Sequence, residues 1–275
     1  MPAPGPGFEW IVTESGDALV CRALTPIARH LFTTRSWQLG RSQQGNWEDV
    51  ARALSVDEPH LARMHQVHGA AVGEAGRTEE CDPADILVTD DPEYAIAVRV
   101  ADCVPLLMAD RSGRAVAAAH AGWRGLLQRV PVKSVRALEA QYGSRAADLI
   151  CAAGPSIGSC CYEVGPEIRE AFAHAGFTKA ELERWFHPEP TPSPANSSMS
   201  GLSAVRRPGY WFFDAWRATA DQLEAAGVPR SEIFTAATCT ASHSDFFCSY
   251  RRDGQDAGRL AGAIRLAAPG SRTAR

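Results

Sequence analysis

The sequence predicts an α+β (mixed α/β) fold, a single domain of mixed β-sheets flanked by helices. Three observations predict it. Aliphatic and β-branched runs at 94–109 and 115–121 read as strands joined by the turn formers Asp110, Arg111, Ser112 and Gly113. Amphipathic stretches end at Gly143, Gly176 and Gly227, the residue type that closes helices. The two kinds of segment intermix without the regular alternation of a βαβ chain. At 275 residues, 45% hydrophobic and 22% charged, the chain can bury a core without disulfides. The expected organisation is a lead-in over 1–15, one domain over 16–268 with a mobile Pro/Ser/Gly loop at 187–209, and a tail over 269–275.

Taken in order, "ALVCRAL" and "ARHLFTTR" read as early strands. "NWEDVARALSV" (46–56) has helical spacing at Trp47, Val50 and Leu54. Residues 94–122 read as a β-hairpin. "VKSVRALEAQYG" (132–143) reads as a helix with Pro131 at its first turn. "DLICAAGPSIGSCCYEVG" is a strand feeding a Gly/Pro loop. "GPEIREAFAHAG" and "FFDAWRATADQLEAAG" are helices. "IFTAATCT" and "DFFCSYRRDG" read as strand and polar loop, the latter with Arg251, Arg252 and Asp253 solvated, and a final helix follows.

Composition excludes several classes. A formal net charge of -4 provides no basic face for a nucleic-acid backbone. No apolar run approaches the ~20 residues that span a bilayer, and the start lacks a signal-peptide pattern, so a cytoplasmic protein is expected. In that compartment the eight cysteines should be free thiols packed as small hydrophobes, the adjacent Cys160 and Cys161 included. No CxxC pair or phosphate-binding GxxxxGK[ST] loop occurs.

The chemistry concentrates at the hairpin. A turn through Arg111 and Ser112 places Cys103 directly across from His120 on one face, with Cβ atoms ~4.5–5.5 Å apart. That spacing suits zinc, whose bonds are ~2.3 Å to sulfur and ~2.0–2.1 Å to nitrogen. A loop one residue longer sends His120 to the other face. A catalytic metal needs a third protein ligand; His65 or His68 in "MHQVHG" can supply it. The bland alternative is a hydrogen-bonded structural histidine beside a filler cysteine.

Five ordered motifs extend this reading: "QVHG" (66–69), "VADCVPLL" (100–107), "HAGWRG" (120–125), "GPSIGSCCYEVG" (154–165) and "FFCSYRRDG" with a following "GR" (246–259). Together they resemble the YfiH/YlmD-like family, also called laccase-domain or polyphenol-oxidase-like, whose bacterial members are also described as peptidoglycan editing factors. The resemblance implies a YfiH/CNF1-like fold. It implies a zinc-dependent enzyme that cleaves adenosine, inosine, guanosine or methylthioadenosine with phosphate and deaminates adenosine. Its metal ligands map onto His68, Cys103 and His120, which would also be the catalytic residues. Purine nucleosides and phosphate would be the partners, with no nucleic acid or membrane, and the protein a monomer or weak homo-oligomer. Phosphate calls for forked cationic donors, and Arg35 and Arg124 are the candidates, with Gln66 as a further substrate-binding residue. Trp123 and Tyr162 offer aromatic faces to a base. The chain departs from the family where "TTR" is followed by "SWQLGRS". The alternative is a cysteine-type amidase acting on peptidoglycan precursors, with Cys103 as nucleophile and His120 as base. A copper polyphenol oxidase is disfavoured, because the chain has eight histidines and no His-x-His pair.

Overall fold

The structure, a computed structural model, describes residues 1–40, 45–76, 82–193, 195–196 and 207–267. The first half runs β1 (Phe8–Thr13), β2 (Gly16–Cys21), β3 (Ala28–Thr33), α1 (Trp47–Ala53), β4 (Leu61–Ala62), β5 (Val72–Glu74), β6 (Ile86–Thr89), β7 (Ala95–Val100), β8 (Val104–Asp110) and β9 (Val116–Ala121). Next come α2 (Trp123–Leu127), α3 (Val130–Tyr142), β10 (Leu149–Ala153), β11 (Glu163–Val164), α4 (Pro166–His174), α5 (Lys179–Trp185) and β12 (Phe186–His187). The chain closes with β13 (Trp211–Phe213), α6 (Ala215–Ala225), β14 (Ile233–Thr235), α7 (Tyr250–Asp253) and β15 (Leu260–Leu266).

Among the described residues the strands form two six-stranded sheets, ordered β1-β2-β3-β15-β7-β4 and β14-β10-β8-β9-β6-β5, and a small sheet β11-β13-β12. Both large sheets are mixed: β4 runs parallel to β7, β5 to β6 and β10 to β14, and the other pairs are antiparallel. They pack face to face. Phe32, Ile96, Val98 and Ile264 of the first sheet meet Leu87, Leu107, Ala109, Val116 and Ile150 of the second in one apolar cluster. The outer face of the first sheet is covered by Trp47 and Val50 of α1. The outer face of the second carries Leu106, Met108 and Ala117 against Val135 and Leu138 of α3 and Leu223 of α6. The two-residue period of a strand explains the split: Leu106 and Met108 point one way, Leu107 and Ala109 the other. Strands buried on both faces lose the polar alternation, hence the continuous apolar runs in the sequence.

This is the mixed α/β single domain the sequence predicts, but several elements differ. The lead-in holds β1, which pairs with β2 along its whole length. The apolar run at 94–109 is two strands in different sheets, β7 in the first and β8 in the second. The expected final helix is β15, between β3 and β7; its alanines imitate a helix, and its small residues stand there because close neighbours leave no room for larger ones, a Cβ at Gly262 falling 2.8 Å from Pro105 Cβ. α2 and α5 fall on stretches that carried no assigned element, and the two phenylalanines expected in α6 belong to β13. Of the loop expected at 187–209, residues 194 and 197–206 lie outside the described residues, as does the expected tail. The seven cysteines among the described residues are free thiols.

Candidate metal centre

Cys103 stands where the chain leaves β7 of one sheet and enters β8 of the other. The bend requires Asp102 to take φ +88°, a left-handed conformation that non-glycine residues avoid. Two bonds hold it there: the Asp102 carboxylate accepts from Thr240 Oγ1 at 2.6 Å and from the Arg251 backbone N–H at 2.6 Å. Burial pushes the Asp102 carboxyl above its ordinary range.

His120 lies opposite Pro105, so the expected direct pairing with Cys103 is corrected. The turn is longer than the sequence reading assumed. Asp110 accepts from the Ser112 N–H and hydroxyl, Gly113 N–H bonds the Asp110 carbonyl, and the ladder resumes with Asp110 N–H on Ala115 O. The register therefore slides by two residues. An even slide keeps each side chain on its face, so Cys103 becomes a diagonal neighbour of His120 and stays on its side.

The third donor comes from the loop between β4 and β5. His68 sits at φ +59°, and its ring meets that of His120 edge-on with centroids 4.8 Å apart. The ligand atoms of His68, Cys103 and His120 all lie within 4.8 Å of one another. His65 is left outside the cluster, which resolves the choice that the spacing left open.

Asp85, a residue the sequence reading missed, organises this trio. One carboxylate oxygen accepts from the N–H groups of Val67 and Gly69 at 3.2 and 2.6 Å. The other accepts from His68 N–H at 3.1 Å and bonds His120 Nδ1 at 2.7 Å. The carboxylate that strings up the His68 loop thus also fixes the His120 ring and turns its Nε2 toward the sulfur. The only signal was an acidic residue directly ahead of the apolar run "ILVT".

The electrostatics pair a thiolate with an imidazolium, whose proton a metal ion would displace. Burial would raise the Cys103 thiol, but the charge and hydrogen bonds of His120, with those of His68, bring it down to about 6. Burial would lower His120, but the Cys103 thiolate and Asp85 hold it up, at about 9. Burial likewise opposes ionisation of Asp85, and its bonds to His120 and to the loop N–H groups outweigh it. Two imidazoles and a thiolate are the donors that zinc and copper prefer. The backbone also makes room: a Cβ added at Gly122 would stand 2.7 Å from Cys103 Sγ. The donor set, its spacing and the carboxylate behind His120 all fit a metal ion.

The trio opens into a cavity of about 740 Å³. Arg99, Arg124, Arg251 and Arg259 line it with Trp123, Tyr162 and Tyr250. The Arg124 guanidinium lies over the Trp123 ring at 4.3 Å. Arg251 is no solvated loop residue: it donates to the Glu163 carbonyl at 2.8 Å and lies over Tyr162. Gln66 reaches the cavity, but its amide is spent on the Arg99 peptide, donating at 2.8 Å and accepting at 2.7 Å. Arg35 is not among the lining residues; its guanidinium donates to the Ser244 carbonyl, so the structure does not bring it to the site.

Comparison with known proteins shows the family of the chain. Residues 41–267 match the family described as multi-copper polyphenol oxidoreductase laccase. The chain belongs to this family. A purine nucleoside phosphorylase of Bacteroides thetaiotaomicron is 32% identical over 211 residues, 74% of this chain and 71% of that one. A purine nucleoside phosphorylase of Pseudomonas aeruginosa is 36% identical over 208 residues, 74% of this chain and 73% of that one. The crystal structure of the hypothetical protein YfiH from Bacillus licheniformis shares the fold at TM-score 0.77 and 24% identity, covering 91% of this chain and 96% of that one. No helix among the described residues is long and apolar enough to cross a membrane.

Proposed function

We propose that the protein is a zinc-dependent purine nucleoside phosphorylase that also deaminates adenosine. The observation that carries this reading is the donor trio His68, Cys103 and His120 opening into a cavity lined by four arginines and three aromatic residues. The relatives named as purine nucleoside phosphorylases support the same class. When bound, zinc supplies Lewis acidity and lowers the pKa of water at its open position. His68, Cys103 and His120 would hold it, His120 giving up the proton that it carries in the metal-free protein, and Asp85 fixes the orientation of the His120 ring. Arg124 and Arg251 balance the phosphate charge and aim one of its oxygens at the sugar C1′. The C1′–O bond forms as the C1′–N9 bond breaks, and its electron pair leaves with the purine. Trp123 and Tyr162 flank the base and exclude water. Gln66 acts by tying the His68 loop to β7. The protein works in the cytoplasm on free nucleosides, as a monomer or weak homo-oligomer.

Metal analysis of the purified protein, with product identification from adenosine, tests this. Adenine released only in the presence of phosphate is the expected result, together with inosine in its absence. A protein without bound zinc, or one that yields neither product, refutes it. One observation favours a second reading: Asp85, His120 and Cys103 align as an acid–base–nucleophile relay, the layout of a cysteine amidase. Hydrolysis of an amide substrate that survives chelation would select that reading.

A further inference from the structure

The segment 157–165 lines the cavity with Ile157, Tyr162 and Glu163. Between those residues it sends two side chains the other way, into a packed group of sulfurs. Cys160, Cys161 and Cys239 are buried at 2%, 1% and 0% exposure. Their sulfur atoms lie within 4.8 Å of one another. We propose that these three cysteines form a second metal site, distinct from His68, Cys103 and His120, that takes a soft d10 cation, with Cu(I) as its three-coordinate occupant.

The geometry fits. Three metal–sulfur bonds of ~2.3 Å in one plane set the sulfurs roughly 4 Å apart, inside the observed spacing. Thiolate-only sets select Cu(I) and Zn(II) over hard cations, and three sulfurs in a dry site favour the singly charged ion. The surroundings resemble those of a ligand shell. Gly158 N–H donates to Cys239 Sγ at 3.3 Å. The half-buried Ser242 hydroxyl stands 3.6 Å from Cys160 Sγ and 3.3 Å from Cys161 Sγ. Two guanidinium groups press on adjoining carbonyls: Arg251 on Cys161 O, and Arg252 on Thr240 O and Ala241 O. Uptake is a ligand exchange without redox change: three metal–sulfur bonds form and each thiol gives its proton to solvent. Zn(II) can use the same sulfurs with Ser242 as a fourth ligand.

The full chain carrying Cys103→Ala isolates this site. Titration with Cu(I) against the chelator bathocuproine disulfonate should show one tightly held equivalent and a sulfur-to-copper absorption band in the ultraviolet. The added change Cys239→Ser should abolish both. Zinc held in place of copper, and released by Ser242→Ala, supports the same cluster with a four-coordinate ion. A measurement on the Cys103→Ala chain alone guards against misfolding of the double variant: in urea below the unfolding midpoint, where transient opening exposes the buried thiols, bound metal should slow maleimide labelling of Cys160, Cys161 and Cys239 while Cys248 reacts at its metal-free rate. Equal metal uptake with and without Cys239, or no shielding of the three thiols, overturns the proposal.

Discussion

Replacing Asp85 by asparagine probes the hinge of the site. Each carboxylate oxygen of Asp85 accepts two donors: Val67 and Gly69 N–H on one, His68 N–H and His120 Nδ1 on the other. Asparagine keeps one oxygen and presents an NH2 group in place of the other. In either orientation two of the four donors then face a donor. Charge-assisted bonds contribute about 1.5–3 kcal/mol each, so two lost bonds cost roughly 3–6 kcal/mol, shared between the His68 loop and the ring of His120. Because Asp85 fixes the ring rather than touching the ion, metal affinity should fall about 10- to 100-fold. Competition with a chelator of known affinity reads the second figure, and urea denaturation of the metal-free protein reads the first. An Asp85→Asn protein with wild-type metal affinity and stability would refute the role assigned to this carboxylate.

Gly122→Ala tests the cradle, since the backbone there suits any residue (φ −74°) but a Cβ would crowd Cys103 Sγ. Ligand bonds tolerate about 0.2 Å, so zinc affinity should drop at least ~10-fold with little change in Tm; an undisturbed affinity argues that the sulfur does not bind the ion. For phosphorolysis, Arg124→Ala should raise the phosphate KM by about 10- to 100-fold, the loss of a charge-assisted bond, while Arg35→Ala changes it less than about twofold; the reverse order would return Arg35 to the site. His30 tests the pH dependence of stability. Its buried ring accepts from Cys21 N–H and bonds the Ala28 carbonyl, and burial, despite those bonds, lowers its pKa to about 4. The folded state binds the proton less well than the unfolded chain, so this contribution is intact above pH 6.5 and is lost as the pH falls toward 4. Between pH 7.5 and 4.5 the loss should be about 2–3 kcal/mol, and His30→Gln should lack that part of the acid sensitivity in denaturation curves. Equal acid sensitivity of the two proteins contradicts it.

What the sequence discloses depends on how local each cause is. Turn chemistry and periodicity are local, so α1, α3 and the β8–β9 hairpin are legible at Trp47, Gly143 and Gly113. Cys103 and His120 were also legible as a pair, although the register came out two residues away, because an even slide preserves the face. Non-local causes were not legible. Nothing in "YAIAVRVADCVPLL" announces that the chain changes sheets at Asp102; that turn depends on Thr240 and on the Arg251 peptide, far along the chain. Asp85 resembled an ordinary acidic residue before a strand until its four donors were placed. Arg251 looked solvated because its acceptors are carbonyls at 161 and 163. β15 was misread because alanine, a strong helix former, also serves a central strand whose close neighbours leave room only for small side chains.

The sharing of one carboxylate by three consecutive amides has a kinetic corollary. Val67, His68 and Gly69 have no strand ladder to hold them; their N–H groups converge on Asp85. Exchange of these three hydrogens with deuterium should therefore follow a single opening event, at one common rate set by release of that side chain. The segment that carries His68 is in this sense a door on one latch, and the same latch keeps the ring of His120 in its orientation.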